Sequence, residues 1–221
     1  MTSFGTVVGL HTGGRVEAAV RHGDAIASAS TDRQALEGLL PLVRSCLADV
    51  QTDVARIETV AVCSGPGSFT GLRIGVAFAK SLAQALGVPA IGVSAFDVES
   101  SLRETIESSA PKVVAVEGKR DFYYARIYSR AERTDFLSVA GTRDEVVAAA
   151  REALGDDEGE AEAAQAFRGS ASADGARALA VADLGTAAIG AGAPADWRSL
   201  SIDYGQRPNA VVNWERRHGR T

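Results

Sequence analysis

One segment, residues 62–88, restricts the fold of this chain more than any other. Its sequence, VCSGPGSFTGLRIGVAFAKSLAQALGV, begins as an apolar strand, passes through a loop with three glycines and continues as an apolar helix. A second apolar stretch, Val88–Val93, follows that helix directly. A strand, a helix and a strand in this order form a βαβ unit, in which the two strands are parallel neighbours of one sheet. The segment therefore predicts an α/β fold.

The glycine loop does not match the common phosphate-binding loops. A P-loop requires a lysine after its last glycine, whereas the two residues after Gly71 are leucine and arginine. The gap before Gly71 is one residue too long for the dinucleotide fingerprint, and Pro66 lacks the backbone N–H that a phosphate would use. Two interpretations remain: an anion bound at the N-terminus of the helix, or a tight turn capped by Ser68 or Thr70.

The helix after the loop has one narrow polar stripe, and a helix on the surface of a monomer usually shows a broader one. Small residues recur at every fourth position of this helix, which lets another backbone approach closely. Spacing alone leaves two alternatives open. The row of small residues lies against the chain's own sheet and a preceding helix, or it meets a helix of a partner protein. The row consists of Gly71, Gly75, Ala79 and Ala83.

The residues before this segment predict a β-meander and one amphipathic helix, which complete a first lobe over residues 1–100. Strands are predicted over Thr6–Leu10, Arg15–Arg21 and Ala25–Ser30, with turns at TGG and HGD. The sequence TDRQ at Thr31–Gln34 has the spacing of a capping box that opens the helix. The apolar face of that helix consists of Leu36, Leu39, Leu40, Val43 and Leu47.

The remaining residues, 101–221, predict a second lobe of related design. A hairpin is predicted in KVVAVEGKRDFYYARIYS, which begins at Lys112, and the sequence TRDE from Thr142 opens a further helix. The acidic stretch at about 155–176, rich in alanine, glycine and serine, is predicted to be a mobile surface excursion. A last strand is predicted over Leu179–Ala182. For the C-terminal tail two placements are open: it belongs to the second lobe, or it returns to the first.

Charge and composition narrow the classes of function. The net charge is −5, and the stretch 155–176 holds six acidic residues and one basic residue, so the rest of the chain is neutral. A domain that binds nucleic acid alone usually has a basic face, so such binding is expected only through a complex. The absence of a long apolar run or a signal peptide predicts a cytoplasmic protein with no membrane contact. Cys46 and Cys63 are predicted to be core residues.

The motif SGPGSFTGLRIGVAFAKSLA closely resembles the motif of the bacterial TsaB (YeaZ) family. The resemblance continues in GVPAIGVSAFD and in VVAVEGKRDFYYARIY, and it is strongest over residues 60–97. It implies a two-lobed α/β fold of the actin, sugar kinase and Hsp70 type, with ribonuclease H-like lobes built from mixed sheets and flanking helices. It also implies a scaffold subunit of the complex that makes N6-threonylcarbamoyladenosine next to the anticodon of tRNAs that read ANN codons.

Under this resemblance, catalysis belongs to a TsaD-like partner, a TsaE-like subunit is an ATPase, and tRNA is contacted only through the complex. The chain itself is expected to have no catalytic residue, no metal and no cofactor, with ATP at the complex interface left open. Pairing uses the helices of the first lobe, and a homodimer is the alternative when TsaD is absent. The expected interface consists of Leu36, Leu39, Leu40, Val43, Gly71, Arg73, Gly75, Phe78, Ala79 and Leu82.

The start of the chain departs from the family pattern. Family members have an aspartate after the first strand, in the loop that binds phosphate and metal in active relatives, whereas this chain has LHTGG. A histidine at that position does not replace a carboxylate beside Mg²⁺-bound water, because the charge differs. An anion or nucleotide loop, if retained, would consist of His11, Thr12, Gly65, Gly67 and Ser68.

Two enzymatic readings compete with the scaffold. An ATP-dependent small-molecule kinase or ATPase of the same fold needs carboxylates in the cleft between the lobes, and Glu117 is the one candidate that the sequence offers. A TsaD-type metal site requires a helix rich in histidine. The three histidines of this chain, at positions 11, 22 and 218, do not have ligand spacing, which excludes that site.

Overall fold

The computed structural model describes residues 5–107, 112–118, 121–128, 136–167 and 173–205. Within these ranges the chain forms eight strands and six α-helices, with a short 3₁₀ turn at Val54–Arg56. The strands are β1 (Thr6–His11), β2 (Val16–His22), β3 (Ala25–Thr31), β4 (Ile57–Gly65), β5 (Ala90–Ser94), β6 (Val113–Glu117), β7 (Phe122–Tyr128) and β8 (Phe136–Thr142). The helices are α1 (Ala35–Asp49), α2 (Phe69–Leu86), α3 (Ala95–Glu107), α4 (Arg143–Leu154), α5 (Asp156–Phe167) and α6 (Ala176–Gly190).

The first sheet has five strands in the order β3-β2-β1-β4-β5. Strands β1, β2 and β3 pair antiparallel through short turns, whereas β1, β4 and β5 run parallel. Because a parallel neighbour starts at the opposite end of the sheet, α2 must carry the chain back from β4 to β5. The predicted β-meander and the predicted βαβ unit are both confirmed.

Helices cover both faces of the first sheet. Helices α1 and α2 pack on one face, and α3 and α6 pack on the other. Because side chains alternate along a strand, β4 contributes to both cores. Its residues Val60 and Val62 lie in the core beneath α1 and α2. Ala61 and Cys63 lie in the opposite core, and Cys63 and Cys46 are buried free thiols, as predicted.

The second sheet has three antiparallel strands in the order β6-β7-β8. Helices α4 and α5 pack on one face, over a core that includes Val113 and Val146. On the opposite face, Phe96 of α3 packs with Val114 and joins the two sheets. We call β1–β5 with α1–α3 and α6 the first lobe, and β6–β8 with α4 and α5 the second lobe. The predicted two-lobed α/β fold is confirmed, whereas the predicted boundary at residue 100 stays a prediction.

Two predictions for the second half of the chain are wrong. Residues Leu179–Ala182, predicted as a strand, belong to α6, whose alanine-rich sequence favours a helix and places small residues on the first sheet. The stretch 155–176, predicted to be a mobile excursion, contains α5. Acidic residues in the first turn of α5 interact favourably with the positive end of the helix, and Ala163 is buried in the second-lobe core. Residues 168–172 of that stretch lie outside the described ranges.

The predicted capping box before α1 is also wrong. The helix begins at Ala35, and Gln34 at its N-cap position makes no side-chain hydrogen bond. Thr31, the expected cap, ends β3 instead, and its hydroxyl oxygen accepts a hydrogen bond from the backbone N–H of Arg33 at 3.2 Å. Thr31 is paired with Val16 of β2 and packs its methyl group against Gly38 of α1, while its hydroxyl is used by Arg33 and does not cap the helix.

The second predicted capping box, at the start of α4, is confirmed. The hydroxyl oxygen of Thr142 accepts a hydrogen bond from the backbone N–H of Glu145 at 3.4 Å. The carboxylate of Glu145 accepts one in return from the backbone N–H of Thr142 at 2.7 Å. Two donors that the helix leaves unpaired are satisfied in this way.

Thr142→Ala should lower the free energy of unfolding by about 0.5–2 kcal/mol, because it removes the cap of α4. Ser81→Ala, at an exposed position in α2, is the matched control and should leave stability unchanged or slightly higher. Urea titration followed by circular dichroism measures both variants. Equal midpoints for wild type and Thr142→Ala would contradict the prediction.

Candidate functional site

The turn between β1 and β2, residues 12–15, lies directly on the glycine loop that precedes α2. A Cβ on Gly67 would lie 2.8 Å from the carbonyl oxygen of Gly13. Gly65 has a φ of 112°, which other residues rarely adopt, and the carbonyl group of Asp203 occupies the place of its missing Cβ. The glycines of the loop are therefore required by close backbone contacts within the chain.

Thr12 fills the groove beside the first two turns of α2. A Cβ on Gly71 would collide with the carbonyl oxygen of Thr12, and a Cβ on Gly75 would collide with its Oγ1 atom. Ala79 and Ala83, further along the same row, are buried in the first-lobe core. Of the two alternatives that the spacing left open, the structure has the internal one. This corrects the expectation that Gly71, Gly75 and Ala79 face a partner.

The residues predicted for an anion or nucleotide loop come together, and protein atoms occupy two of the backbone donors there, the N–H groups of Ser68 and Gly71. The backbone N–H of Ser68 donates to the carbonyl oxygen of Gly13 at 2.7 Å. The backbone N–H of Gly71 donates to the hydroxyl oxygen of Ser68 at 3.5 Å, so Ser68 is the N-cap of α2. The predicted tight turn capped by Ser68 is therefore the observed structure, and anion binding stays a prediction.

A pocket of about 210 Å³ lies between the two lobes, behind this turn. The β1–β2 turn, α3 and α6 supply its walls from the first lobe, and the end of β6 closes it from the second. Glu117, the one cleft carboxylate that the sequence singled out, lies in this pocket together with His11. The lining residues are His11, Gly13, Gly14, Arg15, Glu99, Val116, Glu117 and Arg177.

Both arginines of the pocket, and Glu99, are held by ion pairs that sequence reasoning missed. Arg177, at the start of α6, donates to Glu99 of α3 at 2.5 Å and lies 3.6 Å from Glu17 of β2. Glu17 is 3% exposed, and its carboxylate also accepts from the backbone N–H groups of residues 177 and 178. Burial raises the pKa of Glu17, although Arg177 opposes the shift. The glutamate within the apolar run of β2 was the signal that the sequence offered.

His11 ends β1 and is 6% exposed. Its Nδ1 atom lies 3.4 Å from the carbonyl oxygen of Arg15, which only accepts, so Nδ1 carries the ring proton. Burial, and then the charge of Arg177, lower the pKa of His11 from 6.5 to about 4. The imidazole is therefore neutral at neutral pH, with an unprotonated Nε2 atom.

The outer surfaces of α1 and α2 carry the rest of the expected partner interface. On α1, Leu36 and Leu40 are 78% and 44% exposed, whereas Leu39 and Val43 are buried in the first-lobe core. The buried pair holds α1 on its own sheet and is not available to a partner. On α2 the available residues are Arg73, which is exposed, and Phe78 and Leu82, which are half-buried.

An aromatic stack at the start of α2 was not predicted. The rings of Phe69 and Tyr204 lie 5.1 Å apart, and the guanidinium of Arg73 lies 5.2 Å from the centre of the Phe69 ring. The segment that follows α6 reaches this place because the backbone N–H of Asp203 donates to the carbonyl oxygen of Ser64 at 2.8 Å. The stack extends the apolar surface of α2 around its N-terminus.

The described ranges contain neither a metal centre nor a membrane-spanning helix. There, no group of three or more histidine, cysteine, aspartate or glutamate side chains is arranged to hold a metal ion. None of the helices in those ranges has the length and apolar character needed to cross a bilayer. The cytoplasmic location stays a prediction.

Comparison with known proteins identifies the family. The family described as "TsaD: tRNA N6-adenosine threonylcarbamoyltransferase" matches residues 24–179, more than two thirds of the chain. The chain belongs to this family. Membership alone does not assign the catalytic role to this chain, because the match does not show which individual residues are retained. The lack of a TsaD-type metal site therefore stays a prediction.

Individual relatives of this chain include uncharacterised proteins, a TsaB-named protein and proteins named tRNA N6-adenosine threonylcarbamoyltransferase. It is 40% identical to an uncharacterised protein of Mycobacterium tuberculosis over 90 residues, 41% of each protein. It is 30% identical to the tRNA threonylcarbamoyladenosine biosynthesis protein TsaB of Buchnera aphidicola over 101 residues, 45% of each. The chain thus matches less than half the length of these relatives.

The fold is that of a solved YeaZ structure. YeaZ from Pseudomonas aeruginosa superposes with a TM-score of 0.62 at 17% identity, over 91% of this chain and all of that one. At this identity the likeness concerns the fold alone. With the TsaB-named relative, it confirms the resemblance to the TsaB (YeaZ) proteins that the motif predicted.

Gly75→Ala should destabilise the protein, because the added Cβ collides with Oγ1 of Thr12. Overpacking typically costs about 1–3 kcal/mol, and the better helix propensity of alanine offsets up to about 1 kcal/mol of that. Thr12→Ala removes a hydroxyl that makes no hydrogen bond among the described residues, so the double variant should recover most of the loss. Chemical denaturation of all four proteins gives the coupling energy. Strictly additive effects would contradict the contact.

The lowered pKa of His11 predicts a pH dependence of stability. Below pH 6.5 the unfolded chain protonates this histidine, whereas the folded chain does so only near pH 4. The unfolded state therefore binds more protons in this window, and the free energy of unfolding falls as the pH falls through it. In His11→Gln the free energy of unfolding should depend less steeply on pH, by the equivalent of up to about one bound proton. Denaturant titrations from pH 7 to pH 4 test this, and identical slopes would overturn it.

Proposed function

We propose that this chain is a non-catalytic scaffold subunit of the assembly that installs N6-threonylcarbamoyladenosine next to the anticodon of ANN-decoding tRNAs. In this role it binds and activates a TsaD-like catalytic subunit. Membership of the family, and the similarity to a relative named for this biosynthesis, support the proposal. A TsaE-like ATPase completes the assembly, and the neutral body of the chain leaves tRNA to its partners.

One observation carries the proposal: the apolar outer surface of α1 and α2. Leu36 and Leu40 lie one turn apart on α1 and are largely exposed, although helix α1 buries its other face well. Burying one leucine side chain contributes about 1.5–3 kcal/mol, so two such residues form a substantial part of an interface centre. We call the outward sides of the two helices, which carry Leu36 and Leu40 on α1 and Phe69, Arg73, Phe78 and Leu82 on α2, the α1–α2 face. On α2, Phe69 and Arg73 lie on one flank of the helix, and Phe78 and Leu82 lie on the other.

The geometry of the cleft favours a scaffold over the ATP-dependent kinase or ATPase. His11 stands where the resemblance to the family implies an aspartate, and the turn that follows it packs on the glycine loop. The pocket behind that turn, at about 210 Å³, is smaller than the roughly 300 Å³ at which sites for drug-sized ligands begin. ATP at the interface with the partner is compatible with this geometry, because such a site lies outside the cleft.

Leu36→Asp and Leu40→Asp should each weaken binding of the TsaD-like partner by tenfold or more, which corresponds to at least about 1.4 kcal/mol. In the complex, the aspartate would lose its hydration at the centre of an apolar interface without gaining a counter-charge, which weakens binding. On the free subunit the same side chain stays in water. Thermal stability of the free chain should therefore change little. Calorimetry with the purified TsaD-like protein of the same organism measures the affinity.

Leu137→Asp provides the matched control. Leu137 lies on β8 of the second lobe and is 49% exposed, so the substitution has the same chemistry away from the α1–α2 face. This variant should bind the partner like wild type. Wild-type affinity in both α1 variants would reject the α1–α2 face. If the wild-type chain does not bind the partner at all, the scaffold proposal itself fails. A homodimer that uses the same face should dissociate in the same two variants.

A further inference from the structure

The pocket between the lobes is not used by the proposed scaffold role, and it has the features of a binding site. It is open to solvent on one side and is lined by four separate elements: the β1–β2 turn, α3, α6 and β6. It also joins residues that are far apart in the chain, since His11 and Glu117 both line it. At about 210 Å³ it accommodates a small molecule rather than a nucleotide.

The first of two uncommitted groups in the pocket is the Nε2 atom of His11. The ring is almost fully buried, and its proton lies on Nδ1, which points at the carbonyl oxygen of Arg15. Within the described part of the chain, Nε2 makes no hydrogen bond. It lies on the side of Gly13, another lining residue, at 3.7 Å from the place of a Cβ on that glycine. The pocket therefore contains an acceptor nitrogen that no described donor pairs, on a ring that is otherwise buried.

The second uncommitted group is the carboxylate of Glu117. Both arginines that line the pocket are already paired: Arg177 with Glu17 and Glu99, and Arg15 with Asp32 and Asp174. Among the described residues, Glu117 makes no ion pair or hydrogen bond, although it lies at the solvent-exposed rim. The uncommitted groups of this site are thus an acceptor nitrogen and a negative charge.

We propose that this pocket binds a small molecule through a primary ammonium group, which donates to Nε2 of His11 and to the carboxylate of Glu117. An ammonium group has three N–H donors and a positive charge, which suits a site whose free side-chain groups only accept. A polyphosphate is disfavoured, because it brings negative charge to a site whose guanidinium groups are already neutralised. This inference does not rest on the proposed scaffold function.

The ammonium group can come from a simple amine or from an amino acid, and three probes of similar size distinguish these sources. Ethanolamine carries the ammonium alone, glycine adds a carboxylate, and ethylene glycol offers hydroxyls without charge. We expect saturable binding of ethanolamine to the full-length chain, observed by ligand-detected NMR, with a change in the ¹⁵N shift of Nε2 of His11. If only glycine shows saturable binding, the ligand is an amino acid that binds through its amino group, and the ammonium site is still supported.

Variants locate the site. Glu117→Gln removes the charge at an exposed position and should weaken binding at least tenfold without affecting folding. Glu37→Gln, at an exposed position on α1, is the matched control and should bind like wild type. His11→Phe keeps a ring of similar size but has no acceptor, and its binding is interpreted only if its thermal melting shows a folded protein.

Three results would overturn the proposal. The first is no saturable binding of either ammonium probe below about 10 mM, a concentration that corresponds to very weak affinity. The second is equal binding of ethylene glycol and ethanolamine. The third is unchanged binding in Glu117→Gln, a variant whose exposed position makes misfolding an unsuitable explanation.

Discussion

The contact between the β1–β2 turn and the start of α2 is the constraint on which the rest of the structure depends. Thr12 lies against Gly71 and Gly75 so closely that neither position accepts a Cβ. This contact fixes α2 on the first sheet, holds His11 at the edge of the cleft, and uses the backbone N–H of Ser68, which donates to the carbonyl oxygen of Gly13. The glycine-rich motif thus follows from packing within one chain.

Elements with local signals were predictable from the sequence. The β-meander has alternating apolar residues and glycine turns, and the Thr142–Glu145 box has both of its partners within one helical turn. Elements decided by tertiary contacts were not. Helix α6 is apolar on most of its surface because it packs both on the first sheet and on the neighbouring α3. This hides its helical period, so four of its residues match the pattern of a strand. Strand β8 was not predicted, because its residues are mostly exposed and its sequence, FLSVAGT, does not alternate regularly between apolar and polar residues.

The site was predictable only in part, for a similar reason. His11 and Glu117 stand out singly in the sequence, but nothing local shows that they share a pocket. A row of small residues has the same spacing whether it meets Thr12 of its own chain or a helix of another protein, so only the fold decides between these. The pairing of Arg177 with Glu17 joins residues 160 positions apart, and no local sequence pattern indicates that they pair.

The position of α6 has a consequence for how the chain is made. Gly9, in the central strand of the first sheet, touches the backbone of α6 so closely that a Cβ would meet the amide nitrogen of Ala182 at 2.8 Å. The ribosome therefore releases the whole first sheet, and all of the second lobe, before the helix that covers one face of that sheet exists. During synthesis the nascent chain exposes an apolar surface for many seconds, at about 5–20 residues per second. Chaperone contact is expected to concentrate on this face, and the N-terminal half on its own does not form a self-sufficient folding unit.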